Sequence, residues 1–299
     1  MLVRLAACTF AYATAESTAT TTLPASDTKV NWAGRTLANT RPGGGVSFDW
    51  LGVTARVSVV GATWVSINAT SSTSSRGTRL KAYTNDQGFM LSPQVQFWVP
   101  PEGYPAGFHS NLLWTGRSSS RIITLENIVG PQYGTGVTTV HSFATDGKFV
   151  ALAPAAMLGG GPKGGSRRIE FIGDSITAAT NVVRPEGMQT RSCGDGGYES
   201  DWSQTYEALL CHRFGASCST IAVGGKCVMH ECGGLQMPDY FPSLYYADAP
   251  RPTYKFDPNE WAPDAMCEYT CTNNSSRLVV GCRLLSASLC LCLLWCGDD

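Results

Sequence analysis

From about residue 30 to 152 the apolar positions recur in short alternating bursts. In "VSFDWLGVTARVSVVGATWVSIN" Val46, Phe48 and Trp50 share one parity, Val57, Val59 and Trp64 follow, and Gly52 and Gly61 break the run. "TRLKAYTND", "VQFWVP", "HSNLLWTG" and "RIITLENIVG" come next at intervals suited to strands. No segment here keeps a helical period for three turns. The pattern predicts a β-sandwich of jelly-roll type over 25–156.

Residues 157–167 belong to a glycine-rich stretch without periodicity, "MLGGGPKGGSRR", and read as a linker. Beyond it the period changes. "RIEFI" reads as a buried strand, and "SDWSQTYEALLCHRFG" as a helix with Asp201 as N-cap, Gln204 three residues on and Gly215 at the C-terminal cap. Trp202, Tyr206, Leu209, Leu210 and Phe214 would share the face packed on the sheet. "STIAVGG" follows as a second buried strand. Strand, helix, strand in that order predicts a parallel α/β sheet. The expected fold class is therefore β plus α/β: a jelly-roll sandwich, then an incomplete parallel-sheet domain over 168–266.

Residues 267–299 depart from this grammar and carry half of the 12 cysteines. The apolar run from Leu278 to Cys296 nearly suffices to span a bilayer. It admits two readings, a membrane anchor or a read-through or mis-spliced tail. Arg283 inside it and the lack of flanking aromatic or basic anchors favour the second, so no membrane partner is expected. A parallel sheet that stopped after its first strands would leave a central strand as a raw edge.

Composition narrows the class of partner. The charged share is 15% and the formal net charge −1, which gives no electrostatic case for nucleic acid. Twelve cysteines suit an oxidising compartment, and residues 1–20, with Ala13-x-Ala15, resemble a secretion leader. Asn68-Ala-Thr and Asn273-Asn-Ser are glycosylation acceptors for a secreted chain. No pair makes C-x-x-C, so no metal site is expected, and no cofactor is either. Cys211–Cys218 and Cys227–Cys232 are candidate local bridges, although spacing does not fix connectivity.

The candidate chemistry sits in "RIEFIGDSIT", residues 168–177. In a parallel sheet ligands bind beyond the carboxyl ends of the strands. Ser175, just past such an end, would project its hydroxyl into the crevice and offer its own N–H to a developing oxyanion. A plain N-cap role for Asp174 or Ser175 is the other reading of the triplet.

The wider stretch "IEFIGDSITAA" resembles the first block of the SGNH (GDSL-like) hydrolase superfamily. "NWAGRTL", "GGVSFDWLGVTARVSVVGATWVSIN", "YEALLCHRFGASCSTIAVGGKC", "MPDYFPSLYY" and "FDPNEWAPDA" extend the likeness, and residues 30 to 266 as a whole resemble carbohydrate esterase family 2. The resemblance implies an N-terminal jelly roll joined to an SGNH domain, with acetyl groups on plant cell-wall polysaccharide as substrate. It implies Ser175 as nucleophile and backbone oxyanion donor, and Gly225, or less readily Gly224, as a second backbone donor.

The sequence departs from the superfamily in its later blocks. It has no Gly-x-Asn-Asp after residue 265, where the third block's Asn would donate to the oxyanion, and no Asp-x-x-His anywhere. "TND" at 84–86 mimics the third block but lies upstream, among strands, where a turn is the natural reading. The histidines are His109, His141, His212 and His230. His109 and His141 read as strand or surface residues and His212 as structural. His230 follows the glycine loop, from which it could approach Ser175, although its position does not match the family's base. A hydroxyl needs a base to attack at neutral pH. The expectation is thus a truncated or mis-spliced esterase with little or no activity, and the alternative a non-catalytic carbohydrate-binding sandwich using Trp32, Trp50, Trp64, Trp98 and Trp114.

Overall fold

The computed structural model describes residues 19–38, 44–72, 78–84, 95–99, 110–116, 119–133, 136–153, 167–175, 177–180, 182, 200–224, 226, 235–246, 255–257, 263–272, 275–284 and 289–292. In its first half the strands are β1 (Thr21–Pro24), β2 (Asn31–Ala33), β3 (Leu37–Ala38), β4 (Val46–Phe48), β5 (Thr54–Val60), β6 (Trp64–Ser71), β7 (Thr78–Thr84), β8 (Val95–Val99), β9 (Ser110–Thr115), β10 (Ser120–Asn127), β11 (Thr138–Thr145) and β12 (Lys148–Val150). They form two antiparallel sheets of six strands. One runs β3-β4-β11-β6-β9 with β1 on β11, the other β12-β5-β10-β7-β8 with β2 on β5.

Alternation explains the pairing. Val46 and Phe48 from one sheet and Val57, Val59, Leu80 and Ile123 from the other turn inward into a single core. The core does not stop at the sandwich. Ile221, Val223, Met237 and Tyr240 of the second half belong to the same buried cluster.

The second half is built on β13 (Arg168–Gly173), α1 (Tyr206–Phe214), β14 (Ser217–Ala222), α2 (Met237–Tyr240), β15 (Ala265–Thr272), β16 (Ser275–Leu284) and β17 (Leu289–Cys292). Their sheet runs β14-β13-β15-β16-β17. Both neighbours of β13 are parallel to it, as the strand–helix–strand order predicts. β16 and β17 then continue antiparallel from β15, so part of the cysteine-rich tail lies along the edge expected to be raw. Among the described residues no helix is long and apolar enough to cross a membrane.

The helix differs from its prediction in start and in orientation. Asp201 caps a separate 3-10 turn, Trp202–Gln204, and the hydroxyl of Thr205 caps α1 by accepting from the Ala208 N–H at 3.4 Å. Gly215 ends it in the left-handed conformation, φ 58°, where glycine carries no Cβ penalty. Trp202 is buried, but Leu209, Leu210 and Phe214 are 48%, 38% and 50% exposed. The buried side of α1 is instead Glu207, Ala208 and Cys211. Thr205 separates the 3-10 turn from α1, so Trp202 and the helix do not share one helical phase, and Cys211 on the buried side joins Cys218 of β14 in a disulfide. Phe214→Ser is therefore expected to change the unfolding free energy by no more than about 0.5 kcal/mol. A core position would cost roughly 3–5 kcal/mol, and urea titration distinguishes the two.

The halves are fastened by buried polar contacts. Trp202 donates from its backbone N–H to the Ile128 carbonyl and from its indole to Thr220 Oγ1, both at 3.0 Å. Its ring lies so close to Gly52 (φ 70°) that a Cβ there would meet it at 2.7 Å. Gly52, read from sequence as a strand break, is also a seat for this tryptophan. Lys81 of β7 pairs with Asp201 at 3.2 Å, and Arg35 pairs with Glu170 of β13 at 3.0 Å.

Candidate active site

The parallel pairing fixes where the first strand of the second half ends. Gly173 lies level with Ala222 on β14 and Tyr269 on β15, so the Gly-Asp-Ser turn emerges between two parallel neighbours. The Asp174 carbonyl accepts from the Ala178 N–H at 2.8 Å and the Ser175 carbonyl from Thr180 at 3.1 Å, which coils the chain directly after the strand. Ala179 takes φ 57° inside that coil. Ser175 stays partly exposed there.

The loop after β14 meets the same point. The Val223 N–H donates to the Gly173 carbonyl at 3.2 Å. A Cβ placed on Gly224 would stand 3.6 Å from Ser175 Cβ. The nucleophile candidate and the glycine loop, 49 positions apart by residue number, are thus brought together. Gly225 and His230 lie outside the described residues, as do His109, Asn85 and Asp86.

The two described histidines are elsewhere. His141 of β11 sits on the sandwich with its Nε2 2.9 Å from Thr70 Oγ1. His212, near the end of α1, packs its ring against Tyr83 with centroids 6.1 Å apart. Burial, then the Arg56 and Lys81 charges, push the His212 imidazole down to about 4. It is a neutral packing residue at pH 7, in keeping with the structural role expected for it.

Two residues around the Ser175 turn, one behind it and one against the glycine loop, carry no sequence signal. Glu207 is buried on the inner side of α1, where desolvation raises its carboxyl to about 7 and the nearby Thr205, Tyr206 and Thr177 hydroxyls pull it back. Thr177, two residues beyond Ser175, lies 3.3 Å from the Tyr206 hydroxyl. Gln132 comes from the 3-10 turn Pro131–Tyr133 of the sandwich, and its Oε1 accepts from the Gly224 N–H at 2.6 Å. Only a helical period would have exposed Glu207, and it lies off the face expected to be buried. Gln132 sits in "VGPQYGTG", which reads only as turn.

The tryptophans offered for sugar stacking are mostly turned inward. Trp50 is fully buried, and Trp32, bonded through its indole N–H to the Ala25 carbonyl at 2.8 Å, packs on the sandwich core. Trp114 lies level with the buried Val65 and packs on that core as well. Trp64, one position out of phase, faces the other way. The Trp98 side chain lies outside the described residues.

No protein-family model and no curated protein sequence matches this chain. Solved structures do. A family two carbohydrate esterase from Cellvibrio japonicus superposes with a TM-score of 0.66 at 18% identity, covering 86% of this chain and 68% of that one. The acetyl xylan esterase Est2A from the rumen bacterium Butyrivibrio proteoclasticus gives 0.64 at 17%, covering 83% and 63%. A family two carbohydrate esterase from Clostridium thermocellum, in complex with cellohexaose, gives 0.59 at 18%, covering 80% and 64%. The chain spans about two thirds of the length of these proteins. Over that span it has the fold of the family two carbohydrate esterases.

Proposed function

We propose that this chain carries the nucleophile of a secreted serine esterase acting on acetyl groups of cell-wall polysaccharide, and that it turns over little or not at all. The observation that carries this reading is the placement of Ser175 at the carboxyl end of a central parallel strand, against Gly224. In this reading Ser175 Oγ attacks the acetyl carbonyl carbon, its backbone N–H and that of Gly225 face the oxyanion, and the sugar hydroxyl leaves. The carbohydrate complex and the acetyl xylan esterase among the neighbours support a polysaccharide acetyl ester as the substrate class. The expected weakness comes from the base. Among the described residues neither His141 nor His212 is placed to take the serine proton, the position of His230 does not match the family's base, and the sequence has no Asp-x-x-His. General base catalysis contributes roughly 10²–10⁴-fold, so its loss lowers the rate by about that factor.

The test is hydrolysis of p-nitrophenyl acetate and acetylated xylan by the full chain. Turnover near background is expected, raised by added imidazole acting as an external base. That increment should vanish in Ser175→Ala. Acetate release at ordinary enzyme rates without imidazole would overturn the missing base, and an increment unchanged in Ser175→Ala would overturn the nucleophile.

A further inference from the structure

The site as proposed has a nucleophile but no side chain for the oxyanion, because the third-block Asn is absent from the sequence. Gln132 comes to the Gly224 loop from the turn that follows β10 in the sandwich. Its Oε1 accepts from the Gly224 N–H at 2.6 Å. A backbone N–H can only donate, so chemistry fixes which end of the carboxamide faces Gly224. The oxygen is tied to the loop and the NH₂ group remains for something else. Gly224 also leaves a gap. The point its Cβ would occupy is 3.4 Å from Gln132 Nε2 and 3.6 Å from Ser175 Cβ.

An oxyanion bound through carbon to Ser175 Oγ and lying near that point would be within a few tenths of an ångström of hydrogen-bond distance from Nε2. From this we infer that Gln132 is an oxyanion donor, supplied to the second domain's serine by the β-sandwich. The inference rests on Ser175 being the nucleophile. It accounts for both ends of the amide: one end anchors the loop, and the anchored loop aims the other end. It also accounts for glycine at 224, since a side chain there would occupy the gap between donor and serine. The Gly224 N–H is engaged by Gln132 and is not itself a donor to the oxyanion.

The reaction that reads this donor is acetylation of Ser175 by p-nitrophenyl acetate with imidazole present. Ser175 Oγ forms a bond to the carbonyl carbon while the carbonyl π pair moves onto oxygen. Imidazole takes the hydroxyl proton, and the returning pair expels p-nitrophenolate. The rate is followed as the gain of one acetyl group in the intact mass of the full chain. Gln132→Glu keeps an acceptor for the Gly224 N–H and loses the donor. It should acetylate about 10²-fold more slowly with an unchanged melting temperature. The deficit, taken at each pH as the ratio of the two chains' rates so that protonation of imidazole cancels, should shrink as pH falls toward the carboxyl range and an O–H donor returns. Gly224→Ala meets its neighbours only at 3.4 Å and beyond, so it should fold normally and also acetylate slowly.

Acetylation of Gln132→Glu at the unaltered rate, with labelling still lost in Ser175→Ala, would overturn the role of Gln132 and leave the serine reading standing. A pH-independent deficit would overturn it too, assigning Gln132 to loop anchoring alone. Labelling unchanged by Ser175→Ala would overturn both.

Discussion

Arg35→Ala is expected to lower the unfolding free energy by about 3–5 kcal/mol at neutral pH. Arg35 follows β2 and is wholly buried between the two halves of the molecule. Its Nε donates to Glu170 Oε1 at 3.0 Å, and its Nη1 donates to the carbonyls of Phe241 and Ser243. The guanidinium lies 4.0 Å from the Phe256 ring centroid and 4.8 Å from that of Phe241. Burial pulls its pKa down, and the Glu170 carboxylate, with a lesser contribution from Asp49, pulls it back up. Removing the arginine leaves Glu170, itself buried on a central strand, without its countercharge and frees two carbonyls of the 241–243 segment.

The desolvation of Glu170 then goes uncompensated, which is why the cost exceeds that of an exposed ion pair. Arg35→Lys should recover little, because an ammonium cannot reproduce the planar fork or lie flat against two rings. Arg35→Met with Glu170→Leu should recover most of the loss, since no buried charge remains. Urea unfolding of the three variants measures this. A loss below about 1 kcal/mol in Arg35→Ala would place the pair among contacts that hold nothing.

Arg35 also marks how far the sequence could be read. The alternation of Val46, Phe48, Val57 and Val59 was legible because period two is a local property, and those residues are buried as it predicts. The parallel placement of β13 and β14 was legible from strand–helix–strand order, and the turn at Ser175 from the apolar strand that runs into Gly-Asp-Ser. Partners far apart in the chain were not. Arg35 and Glu170 are 135 residues apart, Lys81 and Asp201 120, Gln132 and Gly224 92. No local pattern couples them. The helix misled for a related reason: Leu209, Leu210 and Phe214 have the right spacing, but Thr205 restarts the helix after Trp202 and sends that face outward. A periodicity specifies a face and leaves open what the face meets.

Glu126→Gln is expected to raise stability by a few kcal/mol at pH 9 and to change it little at pH 5. Glu126 of β10 lies directly across from Lys81 of β7, in a buried cluster that also holds Arg56, Asp201, Tyr83 and His212. Desolvation is the dominant influence on its carboxyl, partly relieved by Lys81 and Arg56 and reinforced by Asp201, and it lifts the pKa to about 8. Lys81 is already engaged with Asp201 at 3.2 Å, so one ammonium faces two carboxyls.

The unfolded chain releases this proton in the ordinary carboxylate range, and the folded chain holds it until about 8. Between those values the folded state binds more protons, so stability falls as pH rises and the whole penalty is present above the folded value. Below pH 6.5 a second group acts in the opposite sense. His212 is held neutral down to about 4, so its contribution is lost as pH falls through that window. The Glu126 and His212 slopes offset each other in mildly acidic solution, and the Glu126 slope stands alone once His212 has stopped titrating. Glu207, lifted to about 7, adds to it over the lower part of that range. Urea midpoints from pH 5 to 9 should therefore fall throughout up to about pH 8 in the unaltered chain, most steeply between about pH 6.5 and 7. In Glu126→Gln they should fall only between about pH 6.5 and 7, and in the double variant with Glu207→Gln they should rise up to about pH 6.5 and then stay level. Superposable profiles for the unaltered chain and Glu126→Gln would mean that Glu126 is ionised inside the fold, with Lys81 serving both carboxylates at once.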